Sequence, residues 1–397
     1  MHHTSMTPTP EDPQMMLIEA KIETTGDRRI DDTLMNKMQT PALDCRHMLE
    51  NLECESEIFS QSDLAICPRF DLKINLSRDR LLSRGAFHNT FQKSSSEISM
   101  NTVDTIDNDH TIDESIISSS SSLRSEKVFA IKRVRKDLVR KNLVRKGHCE
   151  LVKEAKLLAN LSDHNIISLI GVSGDLCSPD FALLLDQLQS SFSDVYNKWK
   201  GLDIITRTKL SAKKEVVEAQ LKQQLKSRIG VGYELASALK YLHSKRIIYR
   251  GISPENIGFN FEGTVQLSNF SNAKELKLKD QVGIDEYLCT QLSDPWQYLA
   301  PEVLYGESYG FSSDTFSFAI FLWQMMSLRD PYECNSKTNS NYPHSSIIFD
   351  DLRPTMNRSW NRHLQTLLRA CWDKKASYRL NFPTICSKLE VYLDSNA

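Results

Sequence analysis

A change of hydrophobic period along the chain constrains its fold more than any other feature. Up to about residue 188 the apolar residues gather in short runs, Gly85 to Phe91, Lys127 to Val134, Ile166 to Val172 and Phe181 to Leu185. Such runs read as strands. One helical stretch interrupts them, where Leu151, Leu157, Leu158 and Leu161 recur near helical spacing. Beyond that point the pattern is helical. Leu235, Leu239 and Leu242 fall at i, i+4 and i+7, and an apolar run spans Phe316 to Met326. Strands first and helices second predict an α+β chain, a small β-rich lobe joined to a larger, mainly helical one.

Composition allows this and excludes much else. Of 397 residues, 40% are hydrophobic and 25% charged, enough for a sizeable core and unlike a collagen, rod or disordered chain. Lys and Arg number 49 against 51 Asp and Glu, so no global basic field for nucleic acid exists. The nine cysteines are scattered without a Cys-x-x-Cys pair, which predicts reduced thiols rather than a zinc site or disulfide frame. Phe316 to Met326 is too short to span a bilayer, and the first thirty residues carry no apolar signal core. The expected location is cytoplasmic or nuclear.

Two stretches read as disordered. Residues 1–70 are polar and mixed, with one short helix expected near Leu34 to Leu52. Residues 93–125 hold Ser94-Ser95-Ser96 and the run Ser118 to Ser122, interspersed with acids, and read as an insert between two strands. The expected domain then covers 71–397, with a small lobe at 71–188 and a large lobe at 189–397. Within it, the charged stretch Lys209 to Lys226 reads as a solvated helix.

Four blocks carry chemistry. Ala130-Ile131-Lys132 ends a strand, and Glu154 follows Lys132 by 22 residues on the next helix. A strand lysine braced by a helix glutamate can hold nucleotide phosphates. The others are Ile248-Tyr249-Arg250-Gly251-Ile252-Ser253-Pro254-Glu255-Asn256, Leu267-Ser268-Asn269-Phe270-Ser271 and Leu299-Ala300-Pro301-Glu302. In this order and spacing the chain from about Leu81 to Leu393 resembles a eukaryotic protein kinase domain, nearest the tyrosine-kinase-like serine/threonine group. The last three blocks resemble His-Arg-Asp-x-x-x-x-Asn, Asp-Phe-Gly and Ala-Pro-Glu. Asn256 precedes Asn269 by 13 residues and Gly251 precedes it by 18, as in the family. Asp314 resembles the aspartate that braces the catalytic loop, and Arg379 the arginine that pairs with the Ala-Pro-Glu glutamate.

The resemblance implies a bilobal kinase fold: a five-stranded antiparallel sheet with one helix, then a mainly helical lobe. It implies ATP and Mg²⁺ as cofactors, with Lys132, Glu154, Gly85 and the hinge residue Leu188 at the nucleotide, and positions 256 and 269 at the metal. The chemistry is depleted at these positions. The general-base position is Gly251, which has no side chain, and the lysine two residues on is Ser253. The metal aspartate is Asn269, a neutral and poorer ligand for a hard cation. Of the glycine-rich loop, Ser83-Arg84-Gly85-Ala86-Phe87-His88 keeps only Gly85. Lys132, Glu154 and Asn256 survive.

The packing positions survive too: Leu158, Leu169, Tyr249 and Phe270 match four side chains that stack through both lobes in the family. A scaffold kept where chemistry is lost predicts a pseudokinase, a binding or allosteric signalling module that binds ATP weakly or not at all. Its partner would be a protein, another kinase or a substrate, with no membrane and no specific nucleic acid involved. The alternative is an active but slow ATP-dependent serine/threonine kinase, aided by Asp280, Asp285 or Glu286 from the following loop. Three features stay open. Eight basic residues from Lys132 to Lys146 form a solvated face, a site for an acidic or phosphate-bearing partner, or a nuclear import signal. Arg250 grips a phosphorylated loop, with Thr290 and Ser293 as acceptors, or serves structure alone. Leu185, at the gatekeeper position, reads as core.

Overall fold

The computed structural model describes residues 67–71, 80–84, 88–94, 99–100, 128–135, 141–176, 178, 180–208, 214–289, 295–332, 347 and 351–395. All of them lie in one unit, Asp44–Ala397. The expectations for residues 1–66 and for 101–127, including the helix near Leu34 to Leu52, fall outside the described residues.

The small lobe is built from β1 (Phe70–Asp71), β2 (Leu81–Arg84), β3 (His88–Ser94), β4 (Ser99–Met100), β5 (Val128–Val134), helix α1 (Lys141–Ala159), β6 (Leu169–Ser173) and β7 (Ala182–Asp186). Five strands form one antiparallel sheet in the order β2-β3-β5-β7-β6. Alternation along the central strand sets its two faces. Ala130 and Val134 join the main core, on the side of α1, and Lys132 shares their side; Ile131 packs on the opposite side with Ala182 and Leu184. Helix α1 meets the sheet through Leu151, Ala155 and Leu158, at i, i+4 and i+7 and each almost fully buried. Burying each leucine stabilises the lobe by roughly 1.5–3 kcal/mol.

Two boundaries differ from the sequence reading. Lys93 and Ser94, expected in the insert, extend β3, and Ser99–Met100 pairs with Phe70–Asp71. Strand β6 starts at Leu169 rather than Ile166. Asp163 accepts the amide of Asn165 at 2.9 Å and turns the chain there, and Ile166 instead bridges Leu267 of the large lobe. The segment before β1 lies flat on β6. Val172 donates to Pro68 O at 2.9 Å, and a Cβ on Gly171 would sit 2.2 Å from the Phe70 ring, so only glycine allows this approach.

The large lobe holds β8 (Ser190–Ser191), α2 (Phe192–Arg207), α3 (Lys214–Ser244), β9 (Ile247–Ile248), β10 (Ile257–Phe259), β11 (Val265–Leu267), β12 (Lys274–Glu275), β13 (Gln281–Gly283), β14 (Glu286–Tyr287), α4 (Pro301–Tyr305), α5 (Phe311–Ser327), α6 (Arg362–Cys371) and α7 (Phe382–Ser395). Ser191 and Asp194 cap α2 reciprocally, as Ser-x-x-Asp before an apolar run allows. Leu235, Leu239 and Leu242 of α3 are fully buried, as their spacing predicts. Every residue of α5 from Ser313 to Met326 is buried, so this helix is the centre of the lobe. Arg228 of α3 donates to Met325 O and Met326 O at its C-terminal end. The result is the bilobal α+β arrangement expected from the order of strands and helices. Among the described residues no helix is long and apolar enough to cross a membrane.

Candidate nucleotide and catalytic site

Lys132 on the α1 side of β5 meets Glu154 at 2.6 Å, and both side chains are buried. The other oxygen of Glu154 accepts the amide of Phe270 at 3.1 Å. One carboxylate therefore ties the small-lobe lysine to the backbone of the large lobe. A third contact fixes α1. His88 of β3 donates Nε2 to Gly147 O at 2.7 Å. Burial, ahead of the nearby Lys132 charge, pushes the His88 pKa down to about 4, so the ring is neutral near pH 7. The sequence reading placed His88 only at the end of a poor glycine loop, and no periodicity signals its bond to α1.

The loop from Tyr249 to Asn256 is held from below by Asp314 of α5. Its carboxylate accepts Tyr249 N and Arg250 N, each at 2.8 Å, and lies 2.9 Å from His243 Nε2. Arg250 sits at φ 59°, in the left-handed region, and its guanidinium donates to Asn272 O at 2.6 Å and to Tyr309 Oη at 3.0 Å. The next residue is Gly251. A Cβ there would lie 3.3 Å from Asn256 Nδ2 and 3.4 Å from the Tyr249 ring. Asn256, buried, donates Nδ2 to Gly251 O at 2.9 Å and to Ser253 Oγ at 3.2 Å.

Asn269 completes the site. It adopts φ 58°, which asparagine tolerates better than most residues. Its Oδ1 accepts from Lys132 Nζ at 3.0 Å and from Ser271 Oγ at 2.8 Å, and its Nδ2 donates to Asn256 Oδ1 at 2.8 Å. The direction of this chain is fixed, because an ammonium group only donates. Hence the amide oxygen of Asn256 faces an N–H, and the oxygen of Asn269 faces a cationic nitrogen. A hard cation needs oxygen ligands, usually with carboxylate charge. Neither position supplies charge, and Asn269 points a donor into the space between them. Among the described residues no group of three His, Cys, Asp or Glu gathers anywhere. This donor set does not fit Mg²⁺.

The remaining expected residues fall as follows. Tyr249 and Phe270 pack edge to face at 5.2 Å, with Leu158 buried and Leu169 half-buried in the same core. Leu188 of the hinge lies over Gly258 of β10, where a Cβ would come within 2.5 Å of its Cδ1. Asp285 accepts Phe311 N at 2.8 Å and Ser312 N at 2.9 Å, capping α5, and Asp280 pairs with Lys274 at 3.6 Å. Glu302 and Arg379 form a two-pronged pair at 2.6 and 2.9 Å. Gly85, Thr290 and Ser293 lie outside the described residues.

Comparison with known proteins agrees with this geometry. The profile of the protein kinase domain matches residues 115–389. Its range leaves out β2 and β3, which the structure pairs with β5 in one sheet. Serine/threonine-protein kinase STY17 of Arabidopsis thaliana is 22% identical over 261 residues, 66% of this chain and 40% of that one. Dual specificity protein kinase shkB of Dictyostelium discoideum is 24% identical over 261 residues, 65% of this chain and 35% of its own. Serine/threonine-protein kinase mos of Xenopus laevis is 27% identical over 164 residues, 39% of this chain and 45% of its own. The chain thus spans less than half the length of these relatives. With two lobes, a lysine–glutamate pair, a braced loop and a matching profile over more than two thirds of its length, the chain belongs to the protein kinase domain family.

Proposed function

We propose that this domain, of the tyrosine-kinase-like group, is a pseudokinase that acts by binding a protein partner. The observation that carries the reading is the side-chain chain Lys132–Asn269–Asn256 beside a position 251 that has no side chain. A kinase orients the substrate hydroxyl with the aspartate that is absent at 251. Losing a positioned general base slows a reaction by about 10²–10⁴. Loss of charge at position 269 removes electrostatic stabilisation of the transferred phosphoryl group as well. Of the three carboxylates of the following loop, Asp285 is engaged in capping a helix and Asp280 pairs with Lys274. Lys132 remains as a phosphate contact, so ATP binding is weak or absent and depends little on Mg²⁺. The partner is another kinase or a substrate protein, met in the cytoplasm or nucleus.

The second reading is a slow serine/threonine kinase. The relatives favour it, because they carry kinase names, and the retained Lys132–Glu154 pair is consistent with it. Two assays on the full chain separate the readings. Melting is followed with ATP, with and without Mg²⁺, and radiolabelled phosphate transfer is measured to generic substrates and to the chain itself. The pseudokinase reading expects no transfer and little Mg²⁺ dependence. Robust transfer that disappears in Lys132→Ala establishes the active kinase instead.

A further inference from the structure

The β13–β14 hairpin carries apolar side chains that the large lobe does not cover. The turn Leu278–Asp280 leads into β13, the chain reverses at Ile284 and Asp285, and β14 returns. Tyr287 of β14 is buried, and its backbone exchanges two hydrogen bonds with Tyr309, each 3.2 Å. The hairpin is therefore fixed to the lobe along β14 and through Asp285 on the start of α5. Alternation turns Glu286 and Leu288, the neighbours of Tyr287, outward. The register Gln281↔Tyr287 puts Val282 on the same outer side. Leu278, Val282, Ile284 and Leu288 are each more than half exposed, and Ile284 reaches 93%. One exposed leucine needs no explanation, but four such side chains between residues 278 and 288 form a patch of the kind that marks a contact surface.

The charges around the patch say what fits it. Glu275 and Lys277 are buried, Asp280 pairs with Lys274 at 3.6 Å, and Asp285 holds the first amides of α5. Lys279 and Glu286 are exposed, and among the described residues neither has an ion-pair partner. They sit at opposite ends of the hairpin. Lys279 lies at its base, before β13, and Glu286 lies next to its tip. One end is thus positive and the other negative, with the apolar side chains between.

We propose that this hairpin is a self-association surface, on which a second copy of the chain packs antiparallel about a two-fold axis near Val282. In that arrangement Val282, Ile284 and Leu288 of the two copies cover one another. Lys279 of each copy meets Glu286 of the other, and symmetry makes the contact twice. Parallel packing sets lysine on lysine and glutamate on glutamate, so charge selects the antiparallel pairing. The attachment is through side chains rather than a β-ladder between two β13 edges. Gln281 donates Nε2 to Gly283 O at 2.9 Å and its backbone amide to Leu278 O, so part of that edge is already bonded within the hairpin. A patch the size of one hairpin lies at the small end of specific interfaces, so the dimer forms at micromolar rather than nanomolar concentration. The inference holds whether or not the site transfers phosphate.

Sedimentation of the full chain, read as mass against concentration from about 5 to 300 µM, tests it. The mass is expected to rise from one copy to two across this range. Lys279→Glu and Glu286→Lys should each weaken the dimer by about tenfold or more, because each sets like charges together twice. The two substitutions combined should restore it. Ile284→Lys should abolish it and leave the melting temperature unchanged, because that side chain stands almost wholly in solvent. A single-copy mass at every concentration overturns the proposal. Slow hydrogen exchange across 278–288 in that monomer would make another part of the same chain the cover. A dimer that survives Ile284→Lys, or single charge changes that the double variant does not repair, places the contact elsewhere and also overturns it. If a single variant does not fold, the concentration series of the natural chain and of the double variant decide.

Discussion

Asn269 donates its side-chain amide to Asn256 at 2.8 Å, so two residues from opposite ends of the β10–β11 hairpin bind each other directly. Lys132 closes the same chain from the small lobe at 3.0 Å. The lobes are thus joined through the side-chain amide of Asn269.

Removing this amide should cost measurable stability. Asn269→Ala leaves Lys132 and Asn256 short of a partner and puts a Cβ-bearing residue without a polar side chain at φ 58°. The expected loss is about 2–4 kcal/mol in denaturant unfolding. Asn269→Gly keeps the backbone relaxed and should be milder by about 1 kcal/mol. Equal stability in all three proteins would remove the amide chain from any structural role.

Restoring carboxylates should not restore a kinase. Gly251→Asp meets Asn256 and the Tyr249 ring at ordinary to slightly tight distance, so the side chain fits after a small shift. Asn269→Asp takes away the donor that now engages Asn256. The double variant should therefore gain a Mg²⁺-dependent melting shift with ATP. Phosphate transfer should stay well below the roughly 1–100 s⁻¹ of kinases, because Ser253 still replaces a lysine. A turnover in that range would show that Ser253 and the sparse glycine loop do not matter.

Acid should loosen α1 from the sheet. His88 is held neutral by burial, with its pKa lowered to about 4 from 6.5. The unfolded chain binds the proton first, so stability is full above about pH 6.5 and falls as pH drops toward 4. The shift corresponds to on the order of 3 kcal/mol. Melting curves from pH 7 to 4.5 should decline more steeply for the natural chain than for His88→Gln. Parallel declines would assign the acid sensitivity to other groups.

Arg379 is fully buried beside Glu302, which is 12% exposed. Breaking a buried pair by removing one partner costs about 3–5 kcal/mol. Arg379→Ala should therefore lower the melting temperature by roughly 6 °C or more. Lysine at 379 should recover only part, since it cannot make both bonds to the carboxylate. A change below 2 °C in either variant would contradict the geometry.

Much of the fold was legible because the hydrophobic periods are clean. Leu235, Leu239 and Leu242 turn one face to the core, and the apolar stretch to Met326 lies inside α5. The site positions were legible by spacing, and Lys132, Glu154, Asn256 and Asn269 do come together. What spacing could not convey is hydrogen-bond direction. That Asn269 donates to Asn256 follows from where Lys132 Nζ sits, which depends on the lobes meeting. The start of β6 was misplaced because Ile166 is apolar and buried but bridges the other lobe, and periodicity cannot tell which partner an apolar residue meets. The role of His88 depends on a carbonyl 59 residues away.

Asp285 sits on the first turn of α5, and Gly310 makes room for it, since a Cβ there would fall 2.3 Å from the carboxylate. Three residues farther along the same helix, Asp314 carries the loop amides of Tyr249 and Arg250. The exposed tip of the β13–β14 hairpin at Ile284 is thus linked, through Asp285 and one turn of α5, to the residue that holds the loop at 249–251. Asp285→Ala strips two amides at the helix start of their acceptor. It should be felt as faster amide exchange at 249 and 250, and unchanged exchange there would mean that the two ends of this turn are independent.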